Sequence, residues 1–248
     1  MKRPGMHRLA SLQAVAHGAD TVQYFHWRKS RGASEKFHGA VVDHEGSENT
    51  RVFREVAALG KDLAKLDEII GTDTPTEVGI VYDWENEWAI ADFQGFKKNR
   101  GYEETACTFY RAFFNHARNI DFVTREADFS RYKLLVAPML YMTSEKTAAL
   151  LEEYVREGGT LVCTYMTGYV NENDLVHLGG FPGGILRKVF GIWAEEMDVL
   201  YDNERMQNEY TENELGLSGT FESRDFCEVI HPEGAEVIAR YTADYYAG

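Results

Sequence analysis

The feature that most constrains the fold is an alternation of short apolar runs and amphipathic helical patterns between residues 77 and 165. Apolar runs of strand length are separated by segments with helical spacing of their apolar residues. The predicted strands are 77–82, 120–124, 133–137 and 160–165, and the predicted helices are 102–116 and 144–156. Strand–helix alternation with short connections predicts a parallel sheet with helices on both faces, an α/β, flavodoxin-like fold.

The first seventy residues have a different pattern. Residues 6–17 predict an amphipathic helix that ends at Gly18, and residues 21–25 predict a buried strand. A second helix is predicted over 47–70, with Ser47 as its N-cap. A helix, a short turn, a strand and a polar loop make up the repeating unit of a (β/α)-barrel, whose chemistry lies at the carboxyl ends of its strands. One such unit cannot close a barrel, so we expect residues 1–45 to be poorly packed or packed against another chain.

A turn-rich segment, residues 71–75, separates the two patterns. We therefore predict two domains. Residues 1–71 are the last β/α segment of a TIM barrel, and residues 76–248 are the α/β domain. The tail after residue 195 is richer in strand signals, notably 227–230 and 236–241.

Charge and cysteine content narrow the class of protein. The net charge of −14 argues against nucleic acid and anionic membranes as partners. No apolar run is long enough to span a bilayer, and the basic N-terminus is not followed by the apolar stretch of a signal peptide. The three cysteines lack the spacing of a zinc site, which favours reduced, mostly buried thiols in a cytoplasmic protein. Neither a cofactor nor a metal is expected.

The α/β domain shows no convincing catalytic group. Residues 83–88 carry three carboxylates and two tryptophans directly after a strand, but a polar loop entering a helix explains them better than catalysis does. The strand-to-helix turn at 137–141, where a nucleophile elbow would lie, contains neither serine nor cysteine. A hydrolase that uses Cys163 or Cys107 is therefore the weakest hypothesis.

A more promising group of side chains lies in the N-terminal segment. An extended run and the loop after it carry two aromatic rings, a guanidinium, a carboxylate and an imidazole: Phe25, Trp27, Arg28, Glu35 and His38. A galactose-like ring needs an aromatic surface for its apolar C–H face and charged hydrogen-bond partners for its hydroxyls. This group supplies both, and we predict that it binds a sugar.

Several stretches, including this group, resemble the β-galactosidases of glycoside hydrolase family forty-two. The matching stretches are 2–6, 13–20, 24–28, 35–39, 47–55, 77–83, 216–220 and 231–237. The resemblance implies a retaining glycosidase with a (β/α)₈ barrel and a glutamine amidotransferase-like trimerisation domain. It places Phe25, Glu35 and His38 at positions that line the galactose site, with Trp27 and Arg28 in the same motif as supports.

The resemblance also implies a departure from the family. The acid/base glutamate and the nucleophilic glutamate of the family have no counterpart in this sequence, and retaining hydrolysis needs both carboxylates. We therefore expect an internal portion of a homotrimeric β-galactosidase that is inactive alone. The alternative is a non-catalytic α/β oligomerisation module, in which tryptophans 84, 88 and 193 could pack between subunits.

Overall fold

The computed structural model describes residues 2–97, 100–245 and 247. The chain divides into two compact units, Met1–Thr74 and Pro75–Gly248. The division lies within the turn-rich 71–75 segment. No helix among the described residues has the length and apolar character needed to cross a membrane.

The first unit contains two α-helices, α1 (Met6–Ala16) and α2 (Arg51–Leu63), and a short 3-10 helix at Asp67–Ile69. Arg8 of α1 donates to Asp62 of α2 across 2.9 Å. The prediction of one helix from 47 to 70 was wrong at both ends. The Ser47 hydroxyl donates to Glu45, so Thr50 caps α2 instead by accepting from the Phe53 N–H.

The predicted strand at 21–25 is absent. Within the part of the chain that the structure describes, this segment has no regular secondary structure and pairs with no neighbouring strand. Tyr24 turns towards α1 and shares a 2.8 Å hydrogen bond with Ser11, while Phe25 is 74% exposed. The run of apolar residues suggested that both faces of the segment are buried, whereas only one face is covered. Among residues 2–45, Ser11, Val41 and Val42 are the buried ones, so this segment is sparsely packed within the chain.

The second unit is built on a four-stranded parallel sheet whose strands lie, from one edge to the other, in the order Ile120–Val123, Val78–Val81, Leu134–Ala137 and Thr160–Cys163. The strands are β1 (Val78–Val81), β2 (Ile120–Val123), β3 (Leu134–Ala137) and β4 (Thr160–Cys163). The main helices are α3 (Trp84–Asp92), α4 (Tyr102–Phe114) and α5 (Glu145–Arg156). The predicted α/β fold is thus confirmed, with element ends that differ by only a few residues.

The two faces of the sheet follow from alternation along its strands. Ile80 and Val136 point to the face covered by α4, where they pack with Ala106. Their neighbours Val81 and Leu135 point to the opposite face and pack with α5. Side chains of both faces are almost fully buried, which explains why the strands read as unbroken apolar runs rather than as alternating ones.

The C-terminal part contains a short helix, α6 (Leu186–Phe190), and two small antiparallel sheets. One sheet pairs β5 (Ile192–Val199) with β8 (Phe226–Pro232). The other has the order β7–β6–β9, formed by Thr220–Ser223, Met206–Tyr210 and Ala239–Tyr241. The strand signal at 227–230 lies within β8, whereas only the end of the 236–241 signal is a strand.

A buried carboxyl group, Glu228, joins β8 to the loop that follows β4. Its Oε1 accepts from the Met166 N–H at 2.8 Å and from the Tyr169 hydroxyl at 2.9 Å. Burial raises the pKa of Glu228 above its ordinary value, and these two hydrogen bonds offset the effect only in part.

The raised pKa predicts a specific pH dependence of stability. Protonated Glu228 is favoured in the folded state, so its contribution to stability is full below the unfolded pKa, near 4.5, and is lost as pH rises through the folded value. E228Q keeps an acceptor oxygen but cannot ionise. We expect the free energy of unfolding of E228Q, measured by urea denaturation, to increase relative to that of the wild type as the pH rises above about 4.5.

The matched control for this prediction is E214Q, which removes an exposed carboxylate. The difference in free energy of unfolding between E214Q and the wild type should change little over the same pH range. A pH-independent difference for E228Q would contradict the prediction.

Candidate functional site

The N-terminal loop is held by backbone hydrogen bonds between two segments that run side by side. The His26 N–H donates to the Gly39 carbonyl, and the His26 carbonyl accepts from Val41 at 3.0 Å. Further along, Val42 donates to Trp27 at 2.7 Å and also accepts from Lys29. These bonds fix the backbone beneath the side chains singled out in the sequence.

A carboxylate lies between two imidazoles at the centre of this loop. Glu35 Oε2 is 3.1 Å from His26 Nε2, and Glu35 Oε1 is 3.9 Å from His38 Nδ1. Glu35 and His38 belong to one turn, closed by a hydrogen bond from the His38 N–H to the Glu35 carbonyl. The side chains of His26, Glu35 and His38 are 19%, 46% and 59% exposed, so the cluster is accessible to a ligand.

The aromatic side chains of the loop are largely free of other packing. The Phe25 ring lies 3.6 Å from the His26 ring, centroid to centroid, yet most of its surface is exposed. Trp27 is 66% exposed and contacts Phe53 of α2. An exposed aromatic beside a polar cluster is a suitable stacking surface for the C–H face of a sugar.

The structure therefore divides the five predicted site residues into two groups. Phe25, Glu35 and His38 belong to one series of contacts, in which Phe25 contacts His26, His26 contacts Glu35, and Glu35 faces His38. Trp27 and Arg28 lie apart from that cluster, Trp27 against α2 and Arg28 against Gly46, where the guanidinium would be 3.5 Å from an added Cβ. The backbone of Gly46 has φ +86°, a conformation that favours glycine.

His26 is the residue that the sequence analysis missed. It lies between two aromatic residues in the 24–28 stretch. That position was the feature of the sequence that could have marked His26 as a site residue. Its partner across the loop could not be known from spacing, because the contact depends on how the turn at 35–38 folds back.

A cavity of about 520 Å³ borders the cluster within the first unit. Phe25, His26 and Lys29 are among its lining residues. Asp43 also lines it, and the Lys29 ammonium, 2.8 Å away, together with the His44 N–H, holds the pKa of that carboxyl below its ordinary value. The volume is within the range of small-molecule sites.

The acidic stretch after β1 has a structural role instead. Asp83 caps α3 by accepting from the N–H groups of Glu85 and Asn86, and Arg125 forms ion pairs with both Asp83 and Glu85. Glu87 accepts from the Tyr82 hydroxyl. The interpretation as a polar loop that enters a helix fits these contacts.

The elbow position after β3 is occupied by a fully buried methionine. Met139 has φ +42°, donates its N–H to Thr164 and accepts from the Asn86 side chain through its carbonyl. Cys163 packs against the core beside α5, and burial raises the pKa of its thiol to about 12. A thiol with so high a pKa is a poor nucleophile at neutral pH, which argues against an amidotransferase-like reaction there.

Comparison with known families agrees with the division of the chain. Residues 76–248 match the family profile of the β-galactosidase trimerisation domain, and residues 1–66 match a β-galactosidase profile. The chain belongs to glycoside hydrolase family forty-two. The family expectation drawn from the sequence is thus confirmed.

Individual relatives support this membership. β-Galactosidase Pbg from Clostridium perfringens is 57% identical over 250 residues, which cover all of this chain and 36% of that protein. The crystal structure of the β-galactosidase from Bacillus circulans sp. alkalophilus has a TM-score of 0.90 at 47% identity, over all of this chain and 37% of that one. The β-galactosidase Gan42B from G. stearothermophilus has a TM-score of 0.87 at 49% identity, over 99% and 35% of the two chains. The chain spans about a third of the length of these relatives.

Proposed function

We propose that the N-terminal unit forms part of the galactose-binding wall of a retaining β-galactosidase, which hydrolyses terminal β-D-galactosyl residues. Phe25, Glu35 and His38 are assigned to sugar binding, and Trp27 and Arg28 to support of the same loop. The observation that carries this proposal is the accessible His26–Glu35–His38 cluster beside the exposed ring of Phe25. The membership of the chain in a β-galactosidase family supports the choice of sugar.

The geometry gives each group a part in binding. The Phe25 ring can cover the apolar face of the sugar, while the Glu35 carboxylate accepts hydrogen bonds from hydroxyls. The contact with His26 orients Glu35 from one side and leaves Oε1 facing His38. We assign none of the carboxylates of this chain to proton donation or to nucleophilic attack, the two roles that retaining hydrolysis requires.

The experiment that tests this function uses nitrophenyl β-galactoside as substrate. The purified 248-residue chain should show no turnover. A chimera in which this chain replaces its matching segment in Pbg should hydrolyse the substrate at a rate close to that of Pbg, since 57% of the replaced residues are identical. Turnover by the isolated chain, or a chimera that folds but is inactive, would contradict the proposal.

We also propose that residues 76–248 act as a trimerisation domain and residues 1–71 as the barrel segment. The family description of residues 76–248 supports this assignment. On α3, Trp84 and Trp88 are 62% and 64% exposed and lie one turn apart, so together they offer an aromatic surface for a subunit contact. Trp193 is a weaker candidate because it stacks on His231 of its own chain, with a centroid separation of 4.3 Å.

Self-association can be measured by light scattering. We expect a mass close to three times 28.3 kDa at micromolar concentration, and we expect W88E to shift the mass towards that of the monomer. The matched control is Y201E, which places the same charge at another exposed aromatic of this unit. A monomeric wild-type chain would contradict the trimer and would also remove the alternative of a non-catalytic oligomerisation module.

The cysteines support a cytoplasmic location. Cys107 and Cys163 form no disulfide bond, as is usual for proteins of reducing compartments. Fractionation of the native host that recovers the protein outside the cytoplasm would overturn this assignment.

A further inference from the structure

We propose that His26, Glu35 and His38 form a binding site for a divalent transition metal ion such as Zn²⁺. One potential ligand atom from each side chain lies within 4.8 Å of the other two. Among the residues that the structure describes, no other group of three or more histidine, cysteine, aspartate or glutamate side chains meets this condition. The proposed metal site shares Glu35 and His38 with the proposed sugar site, but its test measures metal binding and is separate from any galactosidase assay.

The ligand set selects the class of ion. Two imidazole nitrogens and one carboxylate oxygen are a common combination for Zn²⁺ when a fourth position is left open to water. Imidazole also suits Cu²⁺ and Ni²⁺, whereas Ca²⁺ and Mg²⁺ prefer oxygen ligands alone. A site with two nitrogens therefore favours the transition metals over Ca²⁺ and Mg²⁺.

The distances between the ligand atoms require a rearrangement of the side chains. Tetrahedral ligands at about 2.0–2.1 Å from zinc are roughly 3.3 Å apart. The separation between His26 Nε2 and Glu35 Oε2 is already 3.1 Å, and that between His38 Nδ1 and Glu35 Oε1 is 3.9 Å. These two separations involve different oxygens of Glu35, and one ligand atom from each of the three side chains lies within 4.8 Å of the others, so the half-exposed Glu35 and His38 side chains must rotate to bring all three ligand atoms to one ion.

The backbone beneath the site is held in place before any ion binds. The turn that carries Glu35 and His38 is closed by its own hydrogen bond, and Gly39, directly after it, accepts from the His26 N–H. The three side chains are thus kept on one side of a loop whose ends are fixed, which lowers the entropic cost of assembling the ligands.

The test is calorimetric titration of the purified 248-residue chain, freed of affinity tag, with ZnCl₂. We expect the site of highest affinity to bind one zinc ion per chain. We expect H38A and E35Q each to lower the affinity of that site at least about tenfold. Ca²⁺ and Mg²⁺ should give no comparable heat. Far-ultraviolet circular dichroism should show that both variants keep the wild-type helix content, because the two side chains are exposed.

The matched controls are H17A and E48Q, which remove an exposed imidazole and an exposed carboxylate elsewhere in the same unit. Their affinity for zinc should equal that of the wild type. Equal affinity of the wild type, H38A and E35Q would overturn the proposal, as would weak binding with several ions per chain in all variants. As a separate readout, zinc should broaden or shift the imidazole proton resonances of His26 and His38 but leave those of His17 unchanged.

Discussion

Replacement of Arg125 by methionine is expected to lower the free energy of unfolding of the 75–248 unit by about 3–5 kcal/mol. Arg125 is 7% exposed and forms ion pairs with Asp83 and Glu85. Methionine fills much of the same volume but leaves the buried Asp83 carboxylate without its cation. An uncompensated buried charge is costly because neither water nor a counter-ion stabilises it.

The effect should spread into α3, because Asp83 also caps that helix. Its side chain accepts from Glu85 and Asn86 at the first turn, and Asn86 in turn donates from its amide nitrogen to the Met139 carbonyl. Loss of Arg125 therefore disturbs a connected group at the carboxyl ends of β1 and β3. Urea denaturation followed by tryptophan fluorescence suits the measurement, since Trp84 and Trp88 lie on α3 itself.

The matched control is R131M, which breaks the pair of Arg131 with Asp121. The Arg131 side chain is 55% exposed, so its loss should cost less than about 1 kcal/mol. The double variant D83N/R125M should be more stable than the sum of the two single losses predicts, because no isolated charge remains. Similar small losses for R125M and R131M would show that the buried pair contributes no more than a surface pair.

The sheet of the second unit could be predicted from the sequence because local signals and tertiary structure agree there. The run at 134–137 is apolar throughout, and β3 is covered on both faces. The helix predicted over 144–156 corresponds to α5, and Ser144 caps it by accepting from the Thr147 N–H at 3.0 Å. In such segments propensity, periodicity and capping all favour the same structure.

The first unit was harder to predict because its strand signal depends on partners. Residues 21–25 have the composition of a strand, but an isolated segment gains no ladder hydrogen bonds, and one face stays exposed. The length of α2 was overestimated for a different reason. The apolar spacing continues to Ile70, yet Leu66 leaves the helical conformation and the chain continues as a short 3-10 turn.

The candidate site was predicted in composition rather than in arrangement. Residue types and family resemblance selected Phe25, Glu35 and His38; in the structure His26 joins Phe25 to Glu35, and Glu35 faces His38. The sequence could not show that His26 contacts Glu35, because nine positions separate them and the turn between them sets the distance. It also gave no reason to separate Arg28 from the group, since a long side chain can turn to either side of an extended segment.

Substitution of Glu35 by glutamine in the chimera with Pbg should lower kcat/KM for nitrophenyl β-galactoside by about a hundredfold. A hydrogen bond from a hydroxyl to a charged group contributes about 1.5–3 kcal/mol, and each 1.4 kcal/mol corresponds to a tenfold change. Contacts to sugar hydroxyls that strengthen in the transition state add to kcat as well as to binding. H38A and F25A should each lower kcat/KM by about tenfold or more. Substitution of Trp27 or Arg28 should reduce the stability of the loop more than it reduces turnover.

The controls for this series are E48Q and H17A in the same chimera, which should keep kcat/KM within about twofold of the unmodified chimera. The double variant E35Q/H38A should lose less than the product of the two single effects, because the two side chains face each other across 3.9 Å and act on one ligand. Losses below about threefold for E35Q, H38A and F25A alike would contradict the sugar-binding role. An additive double variant would instead show that Glu35 and His38 bind separate parts of the substrate.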